Sequence, residues 1–205
     1  MLMPVPVLSI MVLIFILWLQ YEIRKSSRFS KKATDRFWDN EKQANLTRKA
    51  DISDLNYISL STQCLPLDDK EDPTINSYRD FILKLADKKI VNLTGYTNTE
   101  LKSKYGAANI QLLTEYDNNY LLLVSMLQKW GQRLYDMGYD EDAAEVLEYA
   151  VSCHTDVPST YRLLADIYTK QNSSEKVHSL IAKIASIDLH DKEKLIRDLN
   201  KLIAS

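Results

Sequence analysis

From Met1 to Tyr21 the chain carries no charged side chain, and the first one met is Glu22. At about 1.5 Å per residue such a stretch makes a helix roughly 30 Å long, the hydrocarbon thickness of a bilayer. Pro4 and Pro6 stand in the opening turn, where a missing N–H is tolerated, while Trp18 and Tyr21 stand where interfacial aromatics gather. Nothing basic precedes Met11, and the run exits through Leu19-Gln20-Tyr21-Glu22-Ile23 without a small-residue cleavage site, which argues against a removed signal peptide. Val7 to Leu19 is apolar all round apart from Ser9, so the polar face of a buried core helix is missing as well. These residues predict a single membrane-spanning anchor over 1–23.

Charge gives the anchor a direction. Residues 22–50 hold nine basic side chains against Glu22, Asp35, Asp39 and Glu41, a net +5 beside one end of the span. The positive-inside rule then predicts a cell-membrane protein with its N-terminus outside and its C-terminal part cytoplasmic. The same basic run offers a contact for anionic lipid head groups at residues 24–32. The rest of the chain holds 17 basic and 24 acidic residues, a net −7, which argues against nucleic acid as a partner. Two cysteines, Cys64 and Cys153, do not make a disulfide framework, and the sequons at Asn45, Asn92 and Asn172 carry no meaning on a cytoplasmic face.

Beyond the anchor the chain reads as all-α. A basic juxtamembrane segment, 24–50, predicts a helix from about Lys32 to Arg48, partly continuous with the membrane helix or joined to it through the serines; its Phe37-Trp38 pair could sit at the membrane surface or meet a partner, and docking on the soluble domain is the favoured expectation. Residues 51–75, with Pro66 and the charged run Asp68 to Asp72, read as an irregular connector. From 76 to 205 helices follow one another. One runs from Asn76 to Lys89, and a short one capped by Thr97 or Asn98 ends at Gly106. A segment from Ala107 to Tyr116 precedes a strong helix from Asn118 to Met137. Four more cover Glu141 to Val151, Ser159 to Lys170, Ser174 to Ala185 and Asp191 to Ala204.

Within this last region the chain repeats itself. Leu127, Trp130, Gly131, Leu134, Gly138, Ala143, Leu147 and Ala150 align with Tyr161, Leu164, Ala165, Tyr168, Asn172, Val177, Ile181 and Ile184 at an offset of 34 residues. Small Gly131 and Ala165 suit a close helix crossing, and Gly138 and Asn172 suit a left-handed turn between helices. At these positions, over about 124–190, the chain resembles the tetratricopeptide repeat family, whose usual proline near the repeat end is here displaced to Pro158. The resemblance implies a solenoid of α-α hairpins, with Asp191 to Ala204 as the solvating helix that closes it. It also implies that the first helix of each hairpin lines a groove for a protein or peptide partner. Carried over by position, that groove presents Gln128, Lys129, Gln132 and Tyr135, then Arg162, Asp166 and Thr169. Lys129 and Arg162 stand out as a cation pair suited to a carboxylate.

Catalytic patterns are missing from the sequence. His154, His178 and His190 have no metal-ligand spacing, Cys153-His154 are sequence neighbours that point apart at a helix end, and no phosphate loop or nucleophile elbow occurs. No cofactor is implied. The expectation is a non-enzymatic, membrane-anchored scaffold or adaptor for protein–protein interaction. Its rival is an accessory subunit of a membrane enzyme or cell-envelope complex, assembled through the membrane helix and Phe37-Trp38.

Overall fold

The computed structural model describes residues 5–187, 189 and 191–204. It is all-α: eight helices are joined by short 3-10 turns and loops, and a single antiparallel bridge, Tyr57 to Val91, is the nearest approach to a sheet among the described residues. The chain divides into two compact units. One comprises Met1–Ile52 with Gly95–Ile110, the other Ser53–Thr94 with Gln111–Ser205. Residues 95–110, expected within a 76–205 domain, therefore pack with the N-terminal segment.

In the first unit, α1 (Val5–Asn45) is one unbroken helix of 41 residues, so the apolar stretch and the basic segment share a single rod. Of the two expectations for the helix from Lys32, continuity with the apolar stretch or a joint through the serines, the structure shows the first, because Ser26 to Ser30 contain no residue that stops a helix, and it ends at Asn45 instead of Arg48. Among the described residues no helix is long and apolar enough to cross a membrane, and residues 1–4 of the expected anchor lie outside the described residues.

The end of α1 carries α3 (Asn98–Tyr105). A capping box starts α3, with the Glu100 amide donating to Thr97 Oγ1 and the Thr97 amide donating back to Glu100. Ala44 and Leu101 are buried. Glu41 accepts from Lys102 and, at 2.7 Å, from Thr99 Oγ1. Asn109 Nδ2 donates to the carbonyls of Ala50 and Tyr105 at 2.8 and 2.7 Å, and the Ala50 amide donates to Tyr105 at 3.0 Å. Gly106, at φ 86°, is what lets these strands of chain meet, since a Cβ there would fall on the Arg48 carbonyl. Within this unit Phe37 and Trp38 are uncovered. They stack edge to face, ring centroids 5.4 Å apart, yet remain 53% and 55% exposed, because α3 covers only the turns from Glu41 onward.

The second unit holds α2 (Pro73–Leu85), α4 (Ile110–Asp136, within this unit from Gln111), α5 (Asp140–Ser152), α6 (Pro158–Lys170), α7 (Ser174–Ser186) and α8 (Lys192–Ala204). The spacing of these helices follows one rule. α7 begins and ends 34 residues after α5, α8 begins and ends 34 after α6, and α6 ends 34 after α4. The turns repeat too. Gly138 (φ 82°) and Asn172 (φ 53°) are both left-handed, and the Tyr139 and Ser173 amides donate to Leu134 and Tyr168, each at 2.9 Å. Gly131 lies against Leu147, whose Cδ2 is 2.6 Å from where a Cβ would stand. Around this contact Tyr120, Leu127, Trp130, Leu147, Tyr161 and Ala165 form a continuous, fully buried core.

Two sequence boundaries move. The segments expected as 107–116 and 118–137 are one helix, because Asn119, buried in mid-helix, satisfies its amide by donating to the Lys89 carbonyl at 3.0 Å. α2 begins at Pro73 instead of Asn76 and ends at Leu85 instead of Lys89. Asp72 caps it through the Thr74 and Ile75 amides at 2.7 and 3.4 Å, and Pro73 fills the first position, where an N–H is not needed. The connector before it is irregular but firmly held: the Ser61 amide donates to Tyr149 Oη at 3.0 Å, Lys70 pairs with Asp142 at 2.5 Å, and Arg133 donates to Asp72. Burial pushes the Asp72 carboxyl up, but Arg133 and the two capping amides outweigh it and hold it below the ordinary carboxylate range.

Candidate partner-binding face

The residues singled out for binding lie on α4 and α6, the first helices of the two hairpins. Their apolar neighbours, Leu127, Trp130 and Leu134 on α4 and Tyr161, Leu164 and Tyr168 on α6, turn inward, which leaves the polar positions half-buried or exposed. The structure brings two of them together. Tyr135 Oη donates to Asp166 Oδ2, and Lys170 Nζ donates to Tyr135 Oη from 4.2 Å above the ring centroid, with Asp166 3.9 Å away. The hydrogen bond to Asp166 holds the Tyr135 phenol protonated above its usual range, and the bond to Tyr135 raises the Lys170 ammonium. Lys170 was not among the sequence candidates, although its place four residues after Asp166 on one helix is a local signal for such a pair.

The remaining candidates have different occupations. Gln132 Nε2 donates to Asp136 at 2.9 Å, and Thr169 Oγ1 donates back to the Ala165 carbonyl at 2.8 Å, so its hydroxyl serves its own helix. Arg162 faces Asp198 of α8 at 3.8 Å. The expected clasp of Lys129 with Arg162 is thus replaced on one side: Arg162 already has its carboxylate, while Lys129 is exposed and makes no ion pair among the described residues. Gln128 is half-buried beside it. Among the described residues the face offers amides, the exposed ammonium of Lys129 and a closed Tyr-Asp-Lys network.

A cavity of about 340 Å³ lies between α5, α6 and α7. Tyr168 Oη donates to Glu148 at 2.6 Å, and Lys176 reaches the same carboxylate at 3.3 Å while lying 5.0 Å over the Tyr168 ring. Burial, then the hydrogen bond to Glu148, pushes the Tyr168 phenol well up.

Cys153 and His154 fall at the end of α5 in opposite surroundings, Cys153 buried and His154 exposed. Burial pushes the Cys153 thiol up to about 11, so it stays protonated near neutrality. His154 is exposed in a left-handed conformation (φ 57°), and its carbonyl accepts from Tyr120 Oη at 2.7 Å. His178 is exposed on α7, and His190 lies outside the described residues. No group of three His, Cys, Asp or Glu side chains suited to a metal ion occurs among the described residues. No family model, curated protein or solved structure matches the chain.

Proposed function

We propose that this chain is a single-pass membrane-anchored scaffold whose helical repeat unit, of tetratricopeptide type, binds a protein partner at the cytoplasmic face. The observation that carries the anchoring is the exposure of α1: every side chain from Ile10 to Leu19 is bare, from 41% at Leu19 to 66% at Leu17. Water does not tolerate ten consecutive apolar residues exposed on all sides of a helix, whereas lipid does. The +5 segment that follows sets the orientation and supplies contacts for anionic lipid at 24–32. The binding role draws on the 34-residue period and on the polar face of α4 and α6, where Gln128, Lys129 and Gln132 are the groups with capacity to spare. Anchoring confines the partner near the membrane, which raises effective concentration without new contacts.

The test compares captures from detergent extracts by the full chain, by Lys129→Glu and by Glu175→Lys, a control on α7. A partner lost with Lys129→Glu and kept with Glu175→Lys supports the face, and identical partner sets remove it. Alkaline-carbonate washing of membranes tests the anchor separately. A second reading, assembly as an accessory subunit through α1, is favoured by the bare Phe37-Trp38 pair. Exchanging residues 1–22 for an unrelated anchor separates the two, since capture through α4 and α6 survives that exchange.

A further inference from the structure

A cavity of about 350 Å³ lies wholly within the second unit, between the chain around the Tyr57–Val91 bridge and the ends of α5 and α7. Ile58, Ile187 and the buried Cys153 give it apolar walls, and Asn56 and Asn92 add amides. His154 and Asp156 line the side made by the turn after α5. That turn is pinned from the core. The buried phenols of Tyr120 and Tyr161 donate to the carbonyls of His154 and Thr155 at 2.7 and 2.6 Å. Thr155 Oγ1 accepts from the Val157 amide at 3.2 Å. These bonds hold His154 left-handed, at φ 57°, so this wall of the cavity is preformed.

Asp156 sets the chemistry of this cavity. Among the described residues, buried Asp72 and half-buried Glu41, Asp117, Asp142 and Asp166 each accept a hydrogen bond or an ion pair. Asp198 and Glu22 face cations at 3.8 and 3.9 Å. Asp156, half-buried as they are, has neither. It stands just before α6 but does not cap it, since no side chain does. Lys192, which reaches the Ile187 side, donates to the carbonyls of Ala185 and Ile187 at 3.4 Å instead. After burial itself, the Asp156 charge is the next cause that pushes the Tyr120 and Tyr161 phenols up, which keeps them donors to the turn. We propose that this cavity binds a small alkylammonium compound, its ammonium on Asp156 and its aliphatic body against Ile58, Ile187 and Cys153. A carboxylate partly withdrawn from water without a counter-ion is costly, and a cation removes that cost. The apolar walls select an organic cation over a metal ion, and no set of three metal-binding side chains accompanies Asp156 among the described residues. Asn56, whose side chain makes no hydrogen bond among the described residues, offers a carbonyl for a second ammonium proton. The volume suits a small molecule. None of the residues of α4 and α6 assigned to the protein partner takes part, so this site stands apart from that reading.

The experiment titrates n-butylamine, n-butanol and butyrate, alike in size and different in charge, into the isotope-labelled full chain in detergent micelles near neutral pH. Amide spectra are the readout. Butylamine, charged at this pH, is expected to move the amides of Thr94, His154 and Ile187 at millimolar concentration. Butanol and butyrate are expected to bind more weakly by roughly tenfold or more. Asp156→Asn lowers butylamine binding to the level of butanol, whereas Glu175→Gln, on the exposed surface of α7, leaves it unchanged. Ser186→Trp fills the cavity with Asp156 in place and removes binding of both compounds, which keeps the site testable even where Asp156→Asn does not fold. Equal binding of the three compounds, shifts confined to other parts of the chain, no shift at all, or full binding by Ser186→Trp or by folded Asp156→Asn each overturn the proposal.

Discussion

In the repeat unit, Tyr120, Leu127, Trp130, Leu147 and Tyr161 are fully buried against one another. Among the described residues the seat of α3 on α1 buries two apolar side chains, Ala44 and Leu101, and relies on Glu41 with Lys102 and Thr99, on buried Asn109, and on the backbone at Gly106. The first region is held by excluded water and the second by polar contacts between two stretches of chain far apart in sequence. Such regions fail differently. Core packing resists acid and yields to truncation, whereas a hydrogen-bonded carboxylate yields to its own protonation.

The largest effect is expected from Trp130→Ala, which leaves a void at the centre of the repeat unit and lowers stability by about 3–5 kcal/mol. Denaturant titration measures the loss, and hydrogen exchange at α3 decides what it means: unchanged protection there keeps the two regions independent, and equal loss shows one cooperative unit. Next comes Gly106→Ala. Its Cβ meets the Arg48 carbonyl at a φ suited to glycine, so about 1–3 kcal/mol of local strain is expected. The α3 amides should exchange faster by tenfold or more while the repeat unit melts as before.

The pH dependence sharpens the contrast further. Burial raises the Cys153 thiol to about 11 and the Tyr161 phenol to about 12, above their unfolded values near 8.5 and 10. A raised pKa stabilises fully below the unfolded value and is lost as pH climbs to the folded one, so the repeat unit weakens above about pH 8.5. Glu41, bonded by Lys102 and then Thr99, and Glu100, bonded by the Thr97 amide and hydroxyl, are shifted downward. Their contribution is present above the unfolded value of about 4.3 and is lost as pH falls through the folded ones, so the α3 seat loosens in acid. Exchange measured at both extremes checks this: in acid the second unit is expected to loosen at Asp72 and the start of α2, and simultaneous loss across α4 to α8 defeats the contrast. The smallest effect concerns thiols. An alkylating reagent near pH 8 should modify exposed Cys64 and leave Cys153 untouched until the repeat unit opens, as mass spectrometry would record.

Helical period was legible wherever neighbours in sequence are neighbours in space. The helices expected at Glu141 to Val151, Ser159 to Lys170 and Ser174 to Ala185 differ from α5, α6 and α7 by at most one residue at each end. What stayed hidden depends on distant partners. Asn118 looks like the start of a helix until the Lys89 carbonyl receives Asn119 in the middle of α4. Gly106 looks like an ordinary helix stop until Arg48 is found beneath it. On the binding face, Tyr135 and Asp166 were named from position alone, but their mutual bond and the part of Lys170 arise only when α4 and α6 lie side by side.

The connector before α2 has a consequence for the order of folding. α5, α6, α7 and α8 close contacts with near neighbours in the chain, which form quickly. The Ser61 amide waits for Tyr149, 88 residues later, and Asp72 waits for Arg133, 61 later. During synthesis this strap leaves the ribosome well before its partners exist, with Leu65 unsheltered until α5 arrives. The last contacts to form are then among the first made in sequence, and a ribosome stalled before Tyr149 is expected to present a chain that chaperones recognise.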